Sequence, residues 1–162
     1  MTEKTNGISR KAKGEGRLDA VDRKILGILA RDATKSYAEM GKLLNLSAPA
    51  IHERVKRLKS DGVIKGTVAV LDGAAVGRPL LAFVHIDAHT WQDTQRLLDL
   101  KKLPEVEEIH TVAGDTALIL KVRTQDTHSL EVLLSQIYAM EGLRNSRSYI
   151  VLTTYLERMT VP

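Results

Sequence analysis

The run Ser47-Ala48-Pro49-Ala50-Ile51-His52-Glu53-Arg54-Val55-Lys56-Arg57 sets hydrogen-bonding and cationic side chains around an apolar stripe at helical spacing. Ile51, Val55 and Leu58 recur at i, i+4 and i+7 and face inward, which leaves His52, Glu53, Lys56, Lys59 and parts of Arg54 and Arg57 toward solvent. Double-stranded DNA is the polyanion such a face suits. A helix fits the major groove, its N-terminal residues approach the base edges, and flanking Lys and Arg meet phosphates. The small residues Ser47, Ala48 and Ala50 permit close approach, and His52, Glu53 and Arg54 have the reach to hydrogen-bond bases. The expected DNA-contacting set is Ser36, Tyr37, Ser47, Pro49, Ala50, His52, Glu53, Arg54, Lys56 and Arg57. The alternative for Arg54 or Arg57 is an ion pair with Glu53 or Asp61 along the same helix.

Other chemistry finds little support. His85, Asp87 and His89 lie two apart and would share one face of a strand, but residue 89 falls past the strand end and no fourth ligand is evident, so no metal is expected. His110 alternates with Val106 and Val112 and reads as a core or interface residue. No nucleophile stands beside a base, no paired-carboxylate signature occurs, and no glycine-rich phosphate loop follows a strand. We expect no catalytic residue, no cofactor and no enzyme. The absence of cysteine removes disulfides, thiolate nucleophiles and Cys-based metal sites, and fits a reducing compartment.

Helical periodicity predicts the elements that hold the basic face. Val21, Ile25, Ile28 and Leu29 mark a first helix from Asp19 to about Arg31, with Asp19 and Asp22 where the helix dipole favours negative charge. Ser36-Tyr37-Ala38-Glu39 forms a capping box for a short second helix carrying Met40, Leu43 and Leu44. Asn45 and Leu46 make the turn, Ser47 caps the third helix with Pro49 in its first turn, and Asp61-Gly62 ends it. Val63 to Leu71 reads as one or two extended segments broken at Lys65-Gly66, which would complete a winged/helix-turn-helix domain, and Asp72-Gly73 to Gly77-Arg78-Pro79 has the composition of a linker.

Beyond it the periodicity runs strand, helix, strand, strand, helix, strand: Leu80 to Ile86, Trp91 to Lys102, Val106 to Val112, Ala117 to Val122, Ser129 to Met140 and Ser148 to Leu156. This βαββαβ order implies an α+β fold, an antiparallel ferredoxin-like sheet with both helices on one face. Leu81, Phe83, Leu118 or Ile119, Val151 and Tyr155 are too apolar for a wet outer face, which points to sheet packing on sheet in a homodimer. The domains expected are a disordered basic tail (1–17), a helix-turn-helix domain (18–64), an extended linker (65–79), and an effector-sensing and oligomerisation domain (80–158).

Charge follows the same division. Residues 1–17 carry a net +3, residues 18–72 a net +3 and residues 73–162 a net −2, so a polyanion suits the first part only. No apolar run approaches the roughly 18 residues that span a bilayer, and the polar start lacks a secretory signal, so we expect a cytoplasmic protein without a membrane partner.

Leu18-Asp19-x-x-Asp22-x-x-Ile25-Leu26, Ala38-Glu39-Met40-Gly41-Lys42, Leu46-Ser47 followed by Arg54-Val55, Leu58 and Gly62-Val63-Ile64 together resemble the Lrp/AsnC family of feast/famine regulators. The resemblance extends through Leu71-Asp72 and Ala75-Val76-Gly77 to Val112-Ala113-Gly114-Asp115 between the middle strands, covering roughly 18–158. It implies a sequence-specific DNA-binding transcriptional regulator with a RAM (ACT-like) sensing domain, dimeric through its sheets and commonly a tetramer or octamer. It also implies an effector, usually an amino acid, bound between dimers near the Gly-Asp turn. Carried over, Gly114 and Asp115 match that turn, with Thr111, Ala113 and Thr116 as walls. Glycine exposes amides to a carboxylate and Asp115 can meet an ammonium; a plain β-turn with glycine at positive φ is the alternative. Thr116-Ala117-Leu118 stand where many relatives carry aromatic and acidic residues, which removes bulk and polarity there. Two rivals use the same scaffold: a haem-biosynthesis decarboxylase, which the basic balance of residues 18–72 opposes, and an architectural DNA protein without an effector.

Overall fold

The computed structural model describes residues 18–162, and the tail expected to be disordered lies outside them. The chain divides into two compact units, one of residues up to Ala69 together with Glu157–Pro162, the other Val70–Leu156.

The first unit holds three helices, α1 (Ala20–Leu29), α2 (Tyr37–Leu44) and α3 (Ala48–Ser60). Each starts where a side chain satisfies free backbone amides: Asp19 and Asp22 form a reciprocal capping box, Ser36 and Glu39 another, and Ser47 caps α3. Their stripes converge on Ile25, Met40, Ile51, Val55 and Leu58, all but inaccessible, with Leu18, Val21, Leu44 and Leu46 packed around them. The expected wing is corrected: no strand forms between 63 and 79 among the described residues, and Val68, Val70 and Leu71 are exposed. A strand needs a neighbour for its amides, and this segment finds none within the unit.

The linker is likewise not extended throughout. Arg78 N donates to Gly73 O (2.7 Å) and Ala75 N to the Asp72 carboxylate (2.8 Å), which closes a turn over 72–78. Arg78 then anchors that turn by donating to Pro104 O (2.8 Å).

The second unit contains β1 (Leu80–Ala88), α4 (Trp91–Leu97) continued by a 3₁₀ turn to Lys102, β2 (Val106–Thr111), β3 (Leu118–Thr124), α5 (Thr127–Tyr138) and β4 (Leu143–Ile150). The sheet is antiparallel in the order β2-β3-β1-β4. Ala82, Val84 and Ile86 of β1 and Leu118, Leu120 and Val122 of β3 alternate onto one face and bury against Leu97, Leu100, Leu130, Leu133 and Ile137 of the helical layer. Leu118 therefore belongs to the core and Ile119 to the outer face.

The last strand begins five residues before the expected Ser148 and ends at Ile150. Gly142, at φ +91°, turns the chain straight from α5 into β4, and a Cβ there would fall 2.6 Å from Asp93 Cβ. The polar stretch Asn145–Arg147 then pairs with the end of β1, with Arg144 skipped at a register shift, because backbone groups form the ladder whatever the side chains. Val151 N donates to Leu81 O, and β1 offers little beyond that point, so the apolar run after it leaves the sheet. Leu152 and Tyr155 are about 95% exposed, which takes Tyr155 out of the expected sheet face.

That outer face is mixed. Leu81, Phe83, Ile119 and Tyr149 share it with Lys121 paired to Glu107 and Glu108, Arg123 paired to Glu107, and Arg147 near Asp87. Tyr149 packs against His85 across the strand pair at 4.9 Å.

Candidate nucleic-acid interface and ligand turn

The turn between α2 and α3 is set by two residues. Asn45 takes the left-handed conformation (φ 55°) that ends α2, a conformation open to few side chains besides Gly and Asn. Gly41 lets the returning chain close on α2: a Cβ at this position would stand 2.5 Å from Leu46 O and 3.6 Å from Ala48 N. Periodicity gives Gly41 no special place; only the close approach explains it.

On α3, Pro49, His52, Glu53 and Lys56 are exposed on one side, with Ala50 half-buried and Ser47 at its start. His52 lies 5.4 Å from the Tyr37 ring and its Nδ1 is 3.5 Å from the Glu53 carboxylate. Ser36 is engaged as a cap, its hydroxyl donating to Glu39 (2.6 Å) and accepting from the Glu39 amide (3.2 Å).

Arg54, expected at the base edges, faces α1 instead. Its Nη1 donates to Asp19 (2.6 Å) and Asp22 (2.8 Å), while Arg57 Nη2 donates to the other oxygen of Asp22 (2.6 Å). The partners are therefore carboxylates of another helix and not Glu53 or Asp61. Asp22 is 2% exposed, so this cluster is the polar tie between α1 and α3. Arg57 keeps about half of its side chain in solvent.

The same hydrogen bonds set the acid behaviour of the unit. The Arg54 guanidinium, with the Asp22 amide, holds Asp19 below the usual carboxylate range, and the Ser36 hydroxyl and amide do so for Glu39. A carboxyl with a depressed folded pKa adds stability above its unfolded value, about 4, and loses it as pH falls through the folded value. The melting temperature should hold from pH 7 to about 5 and fall below about 4. Circular dichroism melts check this, and a unit that gains stability between pH 5 and 3 contradicts it.

At the β2–β3 turn, Thr111, Ala113, Gly114 and Asp115 are all exposed, Asp115 to 89% of its side chain. Thr116, expected as a wall of the effector site, is buried instead. Its hydroxyl donates to Ile86 O (2.9 Å) and locks the turn to β1. Gly114 is not among the positive-φ glycines, and a Cβ there would meet nothing within 4 Å. Neither local conformation nor packing within the chain requires glycine at 114. A shallow cleft of about 370 Å³ lies elsewhere, between Leu98, Lys101 and β2. Among the described residues no group of three potential ligands could hold a metal, and no helix is long and apolar enough to cross a membrane.

Three helices with a glycine-closed turn and an exposed polar third helix, in a chain with a βαββαβ domain, define a helix-turn-helix DNA-binding regulator carrying a sensing domain. Known proteins agree: residues 18–59 match the AsnC-type helix-turn-helix domain and residues 81–161 the Lrp/AsnC ligand binding domain. The chain belongs to the Lrp/AsnC family of transcriptional regulators, and is a DNA-binding transcriptional regulator of that type, not an enzyme. It is 34% identical over 147 residues to the HTH-type transcriptional regulator FL11 of Pyrococcus furiosus, covering 91% of this chain and 97% of that one. It is 38% identical over 144 residues to the HTH-type transcriptional regulator Rv2324 of Mycobacterium tuberculosis, covering 88% and 97%. Among solved structures, the feast or famine regulatory protein of M. tuberculosis complexed with L-methionine superposes with a TM-score of 0.81 at 35% identity, covering 90% and 99%.

Proposed function

We propose that this protein is a cytoplasmic homo-oligomer that reads a roughly palindromic DNA site with paired α3 helices, and whose grip on DNA changes when an amino acid binds beside Gly114 and Asp115. The observation that carries the DNA reading is the exposed face Pro49, His52, Glu53 and Lys56 on a helix braced from behind by the Asp22 cluster. Within that face, His52 and Glu53 are the base-edge readers, Lys56 and Arg57 meet phosphates, and Ser47, Pro49 and Ala50 allow the helix end to enter the groove. Arg54 acts as the brace. Ser36 and Tyr37 hold the start of α2 and the His52 ring in place.

The outer sheet face with exposed Phe83 and Tyr149 and half-buried Ile119, together with exposed Val68 and Val70, supports a dimer, since burying such surface against a second copy is favourable. Tetramers or octamers of that dimer would bring Gly-Asp turns of neighbouring dimers together. An amino acid as effector is supported by the ligand binding domain match and by the L-methionine complex of the M. tuberculosis relative. The coupling need be only about 1 to 3 kcal/mol.

Selection from a random-sequence DNA library tests the reading. The expected product is a palindrome with half-sites one helical turn apart, about 34 to 36 Å. On that site His52→Ala should relax preference at one base pair by about 1 to 3 kcal/mol, and Lys56→Ala should reduce the salt slope by about 1 for each phosphate no longer neutralised. Enrichment without a motif would favour the architectural reading.

A further inference from the structure

Arg147 is a poorly satisfied charged side chain next to the Gly114–Asp115 turn. It stands on β4 opposite His85, on the sheet face away from the helices. Its Nη2 lies 3.7 Å from Asp87 Oδ2 and its Nη1 3.9 Å from Asp115 Oδ2. Both distances exceed hydrogen-bond length, so the guanidinium feels two carboxylates without donating to either. Its Nε and Asp87 Oδ1 are sealed from solvent with no hydrogen-bond partner. A guanidinium carries five donors, and leaving the buried Nε–H without a partner is unfavourable. About 40% of the side chain remains open, toward a carboxylate that is itself 89% exposed.

We propose that Arg147 is the carboxylate anchor of the effector site, so that an α-amino acid bridges Arg147 through its carboxylate and Asp115 through its ammonium. This rests on reading the Gly114–Asp115 turn as the effector site. A ligand carboxylate at about 2.8 Å displaces the loose approach to Asp115, and Asp115 is then free for the ammonium. The two groups that now face each other at 3.9 Å thereby receive the two ends of one zwitterion. Asp87 keeps the guanidinium from swinging away. The turn itself adds no competing polar side chain: Thr116 is turned inward, and residues 113 and 117 are alanines. Recognition therefore centres on the backbone-like end of the amino acid, and a ligand lacking the free carboxylate loses the anchor.

The test uses the full chain and calorimetric titration with each of the twenty L-amino acids, then with the carboxamide of the tightest binder. The wild type should bind the acid at least about tenfold tighter than the amide. Arg147→Gln should bind both alike, and Arg147→Lys should restore part of the preference. Circular dichroism melts establish that each variant is folded. If folded Arg147→Gln keeps the preference while Asp115→Asn loses binding, the turn is the effector site and Arg147 is not its anchor. If the wild type binds none of the amino acids, the effector reading of the turn fails and this proposal with it.

Discussion

Replacing Asp22 with alanine should destabilise the helix-turn-helix unit by about 2 to 3 kcal/mol, a large loss for a polar side chain. Asp22 accepts from Arg54 and Arg57 and from the Asp19 amide, and it is buried. Removing one partner of a buried ion cluster costs about 3 to 5 kcal/mol when the other charges stay buried. Here the arginine side chains are 28% and 52% exposed and can rehydrate, which brings the figure just below that range. A loss of this size should lower the melting temperature of the unit by about 10 °C or more. Arg54→Ala should show a smaller shift, because Arg57 still holds Asp22. Unchanged melting in both variants, with DNA affinity reduced only in Arg54→Ala, would return Arg54 to the base-reading set.

Gly41→Ala should cost about 2 to 3 kcal/mol in a urea titration and weaken DNA binding by more than about tenfold. The atom a Cβ would meet at 2.5 Å is the Leu46 carbonyl oxygen, part of the backbone, so no side-chain rotation relieves the clash. Relief requires α3 to move relative to α2, and the angle of α3 is what presents His52, Glu53 and Lys56 together. A variant with wild-type stability and DNA affinity would mean that the turn has room the structure does not show.

These two residues also mark where sequence reading stops. Ser36 with Glu39 and the caps at Ser47, Thr90 and Asp126 are local patterns of four residues, so the helix starts are legible. The stripes Ile51-Val55-Leu58 and Leu130-Leu133-Ile137 are equally local, and they place both helical layers. The Asp22–Arg54 bond spans 32 residues, and the sequence shows Asp22 only as a favourable charge at a helix start. Arg54 looks solvent-facing along α3 alone because its partners lie on another helix. Thr116 reads as a turn residue until its hydroxyl is seen to close on β1.

The end of the sheet is illegible for the same reason. Apolar content makes 148–156 look like the last strand, whereas pairing follows the length of β1, and Asn145–Arg147 occupy the available ladder. The missing wing is the complementary case, an extended segment whose alternation is legible but whose partner is not supplied by its own unit. At the ligand turn, Gly114 and Asp115 are legible through resemblance. Arg147, more than thirty residues away, enters only because the register of β4 brings it alongside.

The most direct test of DNA reading under effector control is a gel-shift titration of the purified protein against DNA from upstream of its own gene and against random DNA, at two salt concentrations, with and without amino acids. The expected result is a preference for the upstream DNA of about 4 kcal/mol or more, weakening of both complexes with salt, and a shift in the specific complex when the effector is present. Equal binding to both DNAs, unaffected by any amino acid, would contradict it.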